Sequence, residues 1–357
     1  MSKVQIFIKD LLFQKKSMIP EDKIEELKSA FENSAKPLVF FDDDPDGVCS
    51  FLLFYKMNPE ARGVIFKAAG SLDETFLTKI KEHHPDKVFI LDVPKVKQEF
   101  IEKSGDTYWL DHHSVTELKG MKYYNPMQYS NGEDNRPTSY WAYKVTQDNL
   151  WIAMVGCTGD WFIAEDLRAE FEEKYPDLLP KEIKEPQDAL FNTELGKLAR
   201  IFSFSLKGKT KDAMTCVKVL TRINDPYEIL NQTSSKGRFI YKKYEKINKI
   251  YQDIKSEIQI TDEPLILFEY SDDKMSLTSD LSNEILYEHP EKFIIIARSK
   301  GDDMRCSLRS TKYEVRPILE KALEGLNGSG GGHLHACGAN IAGKDFENFI
   351  ENIKSQL

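Results

Sequence analysis

The stretch 38-LVFFDDDPDGVCS-50 decides how the rest of the chain is read. An apolar run ends in three consecutive aspartates, followed by Pro45, Asp46 and Gly47. Carboxylates this close repel one another and raise each other's pKa unless a positive charge lies among them. Taken alone, DPDG describes a turn in which Asp46 caps a helix over 47–57. A strand, then acids, then a helix also describes a cation site at the end of a buried strand. The remaining sequence has to choose between the two.

Working outward, the pattern alternates. Apolar strands are expected at 37–43, 63–69, 87–93 and 106–112, with helices at 47–57, 72–84 and 96–104 and an amphipathic helical start over about 3–33. Short apolar strands separated by helices imply crossovers and a parallel sheet. In such sheets ligands lie beyond the carboxyl ends of the strands. Three of the four strands end in acid: Asp42 with Asp44, then Asp92, then Asp111. From 137 to 260 the pattern is mostly helical, including 150-LWIAMVGCTGDW-161 and a lysine-rich amphipathic stretch over 236–257. Strands resume at 264–271, 292–299 and 303–310, with helices at 279–288, 315–326 and 345–356. The expectation is an α/β protein of two domains joined by a long helix. A parallel-sheet catalytic domain covers 1–255, with a helical insertion at about 165–235 and a connecting helix at about 236–258. A smaller α/β substrate-binding domain covers 262–357.

Composition narrows the class. The 357 residues are 41% hydrophobic and 30% charged, with a net charge of −9. No apolar run approaches the roughly 18–20 residues of a membrane span, so no membrane partner is expected. The five cysteines show no CxxC spacing. That favours reduced thiols and a cytoplasmic location over a disulfide frame or a thiolate zinc site. An acidic balance weakens a nucleic-acid reading, because long strands demand many cationic contacts. Divalent ions bound among aspartates would cancel part of that charge.

Asp42, Asp44 and Asp46 stand at i, i+2 and i+4, positions that share one face on a strand. Asp92 ends 89-FILD-92, and 110-LDHHS-114 adds an oxygen and two imidazoles after a fourth apolar strand. Asp160 emerges from an apolar helix between Gly159 and Trp161. Each of these alone reads as a solvated loop or a helix end. Four acid-bearing sites in α/β order, each closing an apolar element, read as one metal centre. Mixed carboxylate and imidazole donors suit manganese, with magnesium second, better than zinc thiolate or all-oxygen calcium sites. The carboxylates suffice for two ions about 4 Å apart, with Asp92 the candidate bridge.

On these residues the chain resembles the DHH phosphoesterase superfamily: 42-DDDPDG-47 with Ser50, Asp92, 111-DHH-113 and Asp160. The segments 305-RCSLRS-310 and 330-GGGHLHACGA-339 resemble the DHH-associated C-terminal domain of the RecJ and nanoRNase type. The resemblance spans about 37–343. The DxDxDG form is nearest to RecJ-like single-strand nucleases, and the absence of a recognisable oligonucleotide-binding barrel after 343 points to the compact archaeal kind. The resemblance implies a two-metal phosphodiesterase acting in a cleft between two domains.

The expected metal ligands are Asp42, Asp44, Asp46, Asp92, His112 and Asp160. His113, directed away from His112 on an extended backbone, is the candidate general acid or phosphate contact. It completes the catalytic set with Asp46 and Asp92. Glycines let backbone N–H groups approach an anion, so Gly330, Gly331 and Gly332, read as a loop, form a phosphate nest with His333, Arg305 and Arg309. The leading function is a manganese-dependent exonuclease on single-stranded DNA or RNA, with aromatic candidates for base stacking at Tyr123, Tyr124, Tyr140 and Trp161. The alternatives are a nanoRNase-like hydrolase of short oligonucleotides, cyclic dinucleotides or phosphoadenosine phosphate, and a non-catalytic replication scaffold. An active enzyme recruited by a replication or repair protein is compatible with the first.

Overall fold

The computed structural model describes residues 18–67 and 70–357. The expected helix over 3–33 lies partly outside these residues; within them a helix runs Glu21–Glu32. Two compact units are present, Met1–Tyr244 and Glu245–Leu357.

The first unit is built on five parallel strands: β1 (Pro37–Asp42), β2 (Arg62–Phe66), β3 (Lys87–Leu91), β4 (Thr107–Leu110) and β5 (Lys122–Tyr124). Their spatial order is β2-β1-β3-β4-β5. The order reverses between β1 and β3, so the crevice for a ligand opens beyond the carboxyl ends of those two strands. Phe41 pairs with Leu91, which sets Asp42 and Asp92 side by side where the strands stop. Residues of both faces are buried, as parallel strands require. Val39 and Phe41 pack toward helices Pro45–Met57, Thr138–Thr146 and Leu150–Gly159; Leu38 and Phe40 pack on the other face with Phe100 and Trp109. Helix Leu150–Gly159 is buried on every side except at its last residue. That explains why 150–159 reads as a continuous apolar run. The short strand β5 has no counterpart in the sequence reading, because three residues carry too little pattern to register.

Helices Glu165–Lys174, Pro186–Asn192, Glu194–Leu206, Thr210–Leu220 and Pro226–Leu230 follow. The amphipathic helix Ser235–Lys255 then extends 21 residues. The second unit is a five-stranded sheet, β6 (Leu265–Tyr270), β7 (Phe293–Lys300), β8 (Asp303–Arg309), β9 (Gly328–Gly332) and β10 (Ala336–Ala342), in the order β6-β7-β8-β10-β9. Only β6 and β7 pair in parallel. Its core lies between one face of this sheet and helices Val315–Ala322 and Phe346–Lys354, around Phe293, Leu308, Leu319 and Phe349.

The glycine-rich stretch is not a loop. Gly328–Gly332 forms the edge strand β9, hydrogen-bonded to β10. Glycine weakens strands, but here the ladder to β10 and the close approach of Gly330 to Gly338 O and Leu319, either 2.9 Å from an added Cβ, hold the backbone extended.

Candidate metal centre

Asp44, not Asp46, caps the helix after β1. Its carboxylate accepts the Gly47 N–H at 2.8 Å, and the helix begins at Pro45. Proline suits the first helical position because its missing N–H has no partner there to lose. Gly47 is required for this turn: a Cβ would sit 2.6 Å from Asp42 O and 2.8 Å from Asp42 N. Asp46 is thereby released from capping its own helix. It is 1% exposed and instead accepts the N–H groups of Thr138 (2.7 Å) and Ser139 (2.8 Å), at the start of the helix Thr138–Thr146. A carboxylate at a helix N-terminus is stabilised by those unpaired donors and by the helix dipole.

Asp92 follows β3 with φ 61°, a left-handed conformation uncommon outside glycine, asparagine and aspartate. Its Oδ1 accepts the Thr138 hydroxyl at 3.0 Å. Its Oδ2 is buried with no hydrogen-bond partner. Burial comes first among the causes that push the Asp92 carboxyl far above its ordinary range, followed by the charges of Asp46, Asp44, Asp42 and Asp160. Asp42 and Asp160 are likewise pushed well up, and Asp44 is raised, each by burial first and neighbouring aspartates second.

The strand β4 ends at Leu110, and 111–113 lie beyond its ladder. The two imidazoles do not diverge as the sequence suggests. Their ring centroids lie 4.5 Å apart, and both face Asp92 Oδ1, His112 Nε2 at 3.4 Å and His113 Nδ1 at 3.9 Å. The Nδ1 of His112 is 3.0 Å from Asn135 O, which leaves Nε2 to the cluster, within 3.7 Å of Asp160 Oδ2 and 3.9 Å of Asp46 Oδ2. His113 Nδ1 pairs with the buried Asp111 at 2.8 Å. Burial lowers the pKa of His113, but the hydrogen bond and charge of Asp111 outweigh it and the net shift is upward. Asp160 arrives from the end of Leu150–Gly159, where Gly159 permits contact with Pro45: an added Cβ would be 2.5 Å from Pro45 Cβ.

The structure thus gathers Asp92, His112 and His113 within ligand spacing of one another, and likewise Asp46, His112 and Asp160, two groups that share His112. Asp42 and Asp44 lie close enough for their charges to bear on Asp92. A divalent cation fits this donor set. The orphaned Asp92 oxygen and the mutual repulsion of buried carboxylates both call for positive charge. The nearby Cys49 and Cys157 are buried, burial raises both thiols well above their usual value, and neither belongs to the two donor groups.

The segment 134-DNRPTS-139 supports three of these side chains: Asn135 holds His112, Thr138 holds Asp46 and Asp92, and Ser139 holds Asp46. The sequence reading missed it. A Pro followed by Thr and Ser at a helix start was the available signal. Removing the hydroxyl in Thr138→Val is expected to weaken divalent-cation affinity roughly ten- to a hundredfold by titration calorimetry, with the fold unchanged.

In the C-terminal unit the register places Arg305, Ser307 and Arg309 of β8 on one face with Gly338 of β10 and Gly331 of β9. A Cβ on Gly331 would meet nothing within 4 Å, and on Gly338 only Cys306 O at 3.8 Å, so this floor is open. His333 N–H continues the ladder to Ala336 O at the same hairpin end. Arg305 is exposed. Arg309 is bound within its own domain, to Asn283 Oδ1, Ser279 Oγ, Leu308 O and Cys337 O, and burial lowers its pKa to about 10.

The model of the DHHA1 domain matches residues 265–357. No curated protein matches the chain. Among solved structures, RecJ in complex with Mn2+ from Thermus thermophilus aligns with TM-score 0.68 and 13% identity over 96% of this chain, which spans 55% of that one. Exonuclease RecJ bound to manganese gives 0.63 and 14% over 94% of both chains. The DHH domain of a member of the s1p family of ribosomal proteins gives 0.65 and 12%, covering 99% of this chain and 97% of that one. Identities this low speak for the fold alone: residues 265–357 match the DHHA1 domain, and the chain shares the fold of the RecJ and DHH-domain structures.

Proposed function

We infer that this protein is a metal-dependent phosphodiesterase that shortens single-stranded DNA or RNA, with two Mn2+ ions as its cofactor and Mg2+ as substitute. The observation that carries the reading is the convergence of three carboxylates on His112 Nε2, at 3.4, 3.7 and 3.9 Å, beside a buried and unpartnered Asp92 oxygen. Cations held by Asp42, Asp44, Asp46, Asp92, His112 and Asp160 would neutralise phosphoryl charge and acidify the attacking water. Asp111 orients His113 through Nδ1, and the His113 imidazole is the group assigned to pass a proton to the departing oxygen. The hydrogen bond and charge of Asp111 raise the His113 pKa above the ordinary imidazole value. The open face with Gly331, Gly338, Arg305 and Arg309 supplies a second phosphate-binding surface.

A longer strand is favoured over a dinucleotide by the lysines gathered around Lys67, which pairs with Asp43. Lys67 Nζ lies 3.6 Å from Asp43 and also donates to Leu206 O, while the charges of Lys207 and Lys243 bear on it. Several ammonium groups gathered beside a phosphate-cleaving centre suit a polyanion with more than one phosphate.

The test is a time course with end-labelled single strands of about twenty and of roughly two to five nucleotides in Mn2+, with Asp46→Ala as the blank. Stepwise shortening of the long strand from one end is expected. Cleavage of the shortest substrates alone would transfer the assignment to the nanoRNase class. Equal inertness of wild type and variant would overturn the enzymatic reading.

A further inference from the structure

We propose that Trp161, braced by Phe191, is a nucleobase-stacking shelf beside the metal centre. This deepens the single-strand reading and rests on it. Of the four aromatic candidates in the sequence, Tyr124 and Tyr140 are buried. The ring of Tyr123 is stacked on Trp109 at 4.4 Å. Trp161 remains partly exposed, whereas Trp109, Trp141 and Trp151 are at most 1% exposed.

The placement of Trp161 is specific. It directly follows Asp160, whose carboxylate is 3.7 Å from His112 Nε2. Its φ is 58°, a left-handed conformation that is an outlier for a bulky residue and persists only where its surroundings enforce it. Here the enforcement is visible: Trp161 N–H donates to Thr158 O at 3.2 Å, Phe162 N–H donates to Cys157 O at 2.9 Å, and Gly159 is pressed on Pro45. The strained turn lets Asp160 join the cluster while the next side chain stays out of the core.

The indole meets Phe191 edge to face, with centroids 5.8 Å apart and planes at 76°. Arg200 lies over the Phe191 ring at 5.8 Å, which steadies it. An edge-to-face contact fixes ring orientation and covers at most one face of the indole. A partly exposed indole one residue from a candidate metal-ligating carboxylate suits a nucleotide, whose base and metal-bound phosphate are joined by a single sugar. Every base has a π-face, so such a shelf accepts DNA or RNA without reading sequence.

The experiment uses the full chain in Mg2+ with a hydrolysis-resistant phosphorothioate thymidine pentamer and an abasic deoxyribose-phosphate pentamer. Binding is followed by intrinsic tryptophan fluorescence and by calorimetry. With three tryptophans buried, the base-bearing strand is expected to change the emission of Trp161 and the abasic strand to leave it unchanged. Trp161→Leu is expected to abolish the change and to weaken the thymidine strand roughly ten- to a hundredfold, with affinity for the abasic strand retained; Trp161→Phe keeps part of the difference. If Trp161→Leu, with a wild-type melting curve, still separates the two strands as wild type does, the shelf is overturned while the nuclease reading stands. If wild type neither binds nor cleaves any strand, the function falls, and the shelf with it.

Discussion

Asp92→Asn is expected to abolish metal-dependent hydrolysis, a loss of about a thousandfold or more, because several kcal/mol of Lewis-acid stabilisation depend on cations at this cluster. The same substitution is expected to make the metal-free protein more stable. Asp92 is buried among four other aspartates whose charges bear on it, and one of its oxygens is unpaired. A neutral amide of the same shape removes that repulsion. The folded-state carboxyl sits above its unfolded value, so the folded chain binds the extra proton, and metal-free stability falls as pH rises through the folded pKa. Going the other way, the metal-free wild type gains stability as pH drops from neutral toward the ordinary carboxylate range. Mn2+ reverses the trend, since cations compete with protons for the same oxygens and bind better as pH rises. Thermal melts with and without Mn2+ across that range check all of this. A wild type whose melting temperature ignores Mn2+ would contradict the metal centre directly.

Gly47→Ala is the second large effect, and it acts through the backbone. The added methyl would lie 2.6 Å from Asp42 O and 2.8 Å from Asp42 N, and neither belongs to a side chain that can turn aside. The helix Pro45–Met57 has to back away from β1, and its inner face is buried from Asp46 to Phe54, so that movement disturbs the core. Overpacking of this kind costs about 3 kcal/mol, a fall in melting temperature of roughly 6–12 °C. Activity should fall more than stability implies, about a hundredfold, because Asp44 and Asp46 move with the helix. Gly70→Ala, with nothing within 4 Å of its added Cβ, is the control and should match wild type in both measurements.

These two substitutions divide what was legible in the chain from what was not. The alternation of apolar runs with helical stretches determined a parallel sheet, because strands buried on both faces must be continuously apolar and their crossovers must be helices. The acids at the ends of those runs determined the candidates, since a carboxylate closing a buried strand is costly without a partner. Local pattern could not assign the roles. DPDG allows either aspartate to cap the helix, and only the approach of Thr138 and Ser139, more than ninety residues away in sequence, draws Asp46 inward and leaves the cap to Asp44. DHH allows the two rings to diverge, and only the folded chain beyond β4 shows both brought to Asp92. The glycine run reads as a loop because glycine has no strand propensity, and its pairing with β10 is a long-range hydrogen-bond ladder that composition does not carry. Sequence by itself determined which residue types close which elements, because burial and periodicity are local. Tertiary structure alone decided which atoms of those residues face one another, because hydrogen bonds between distant segments orient each side chain.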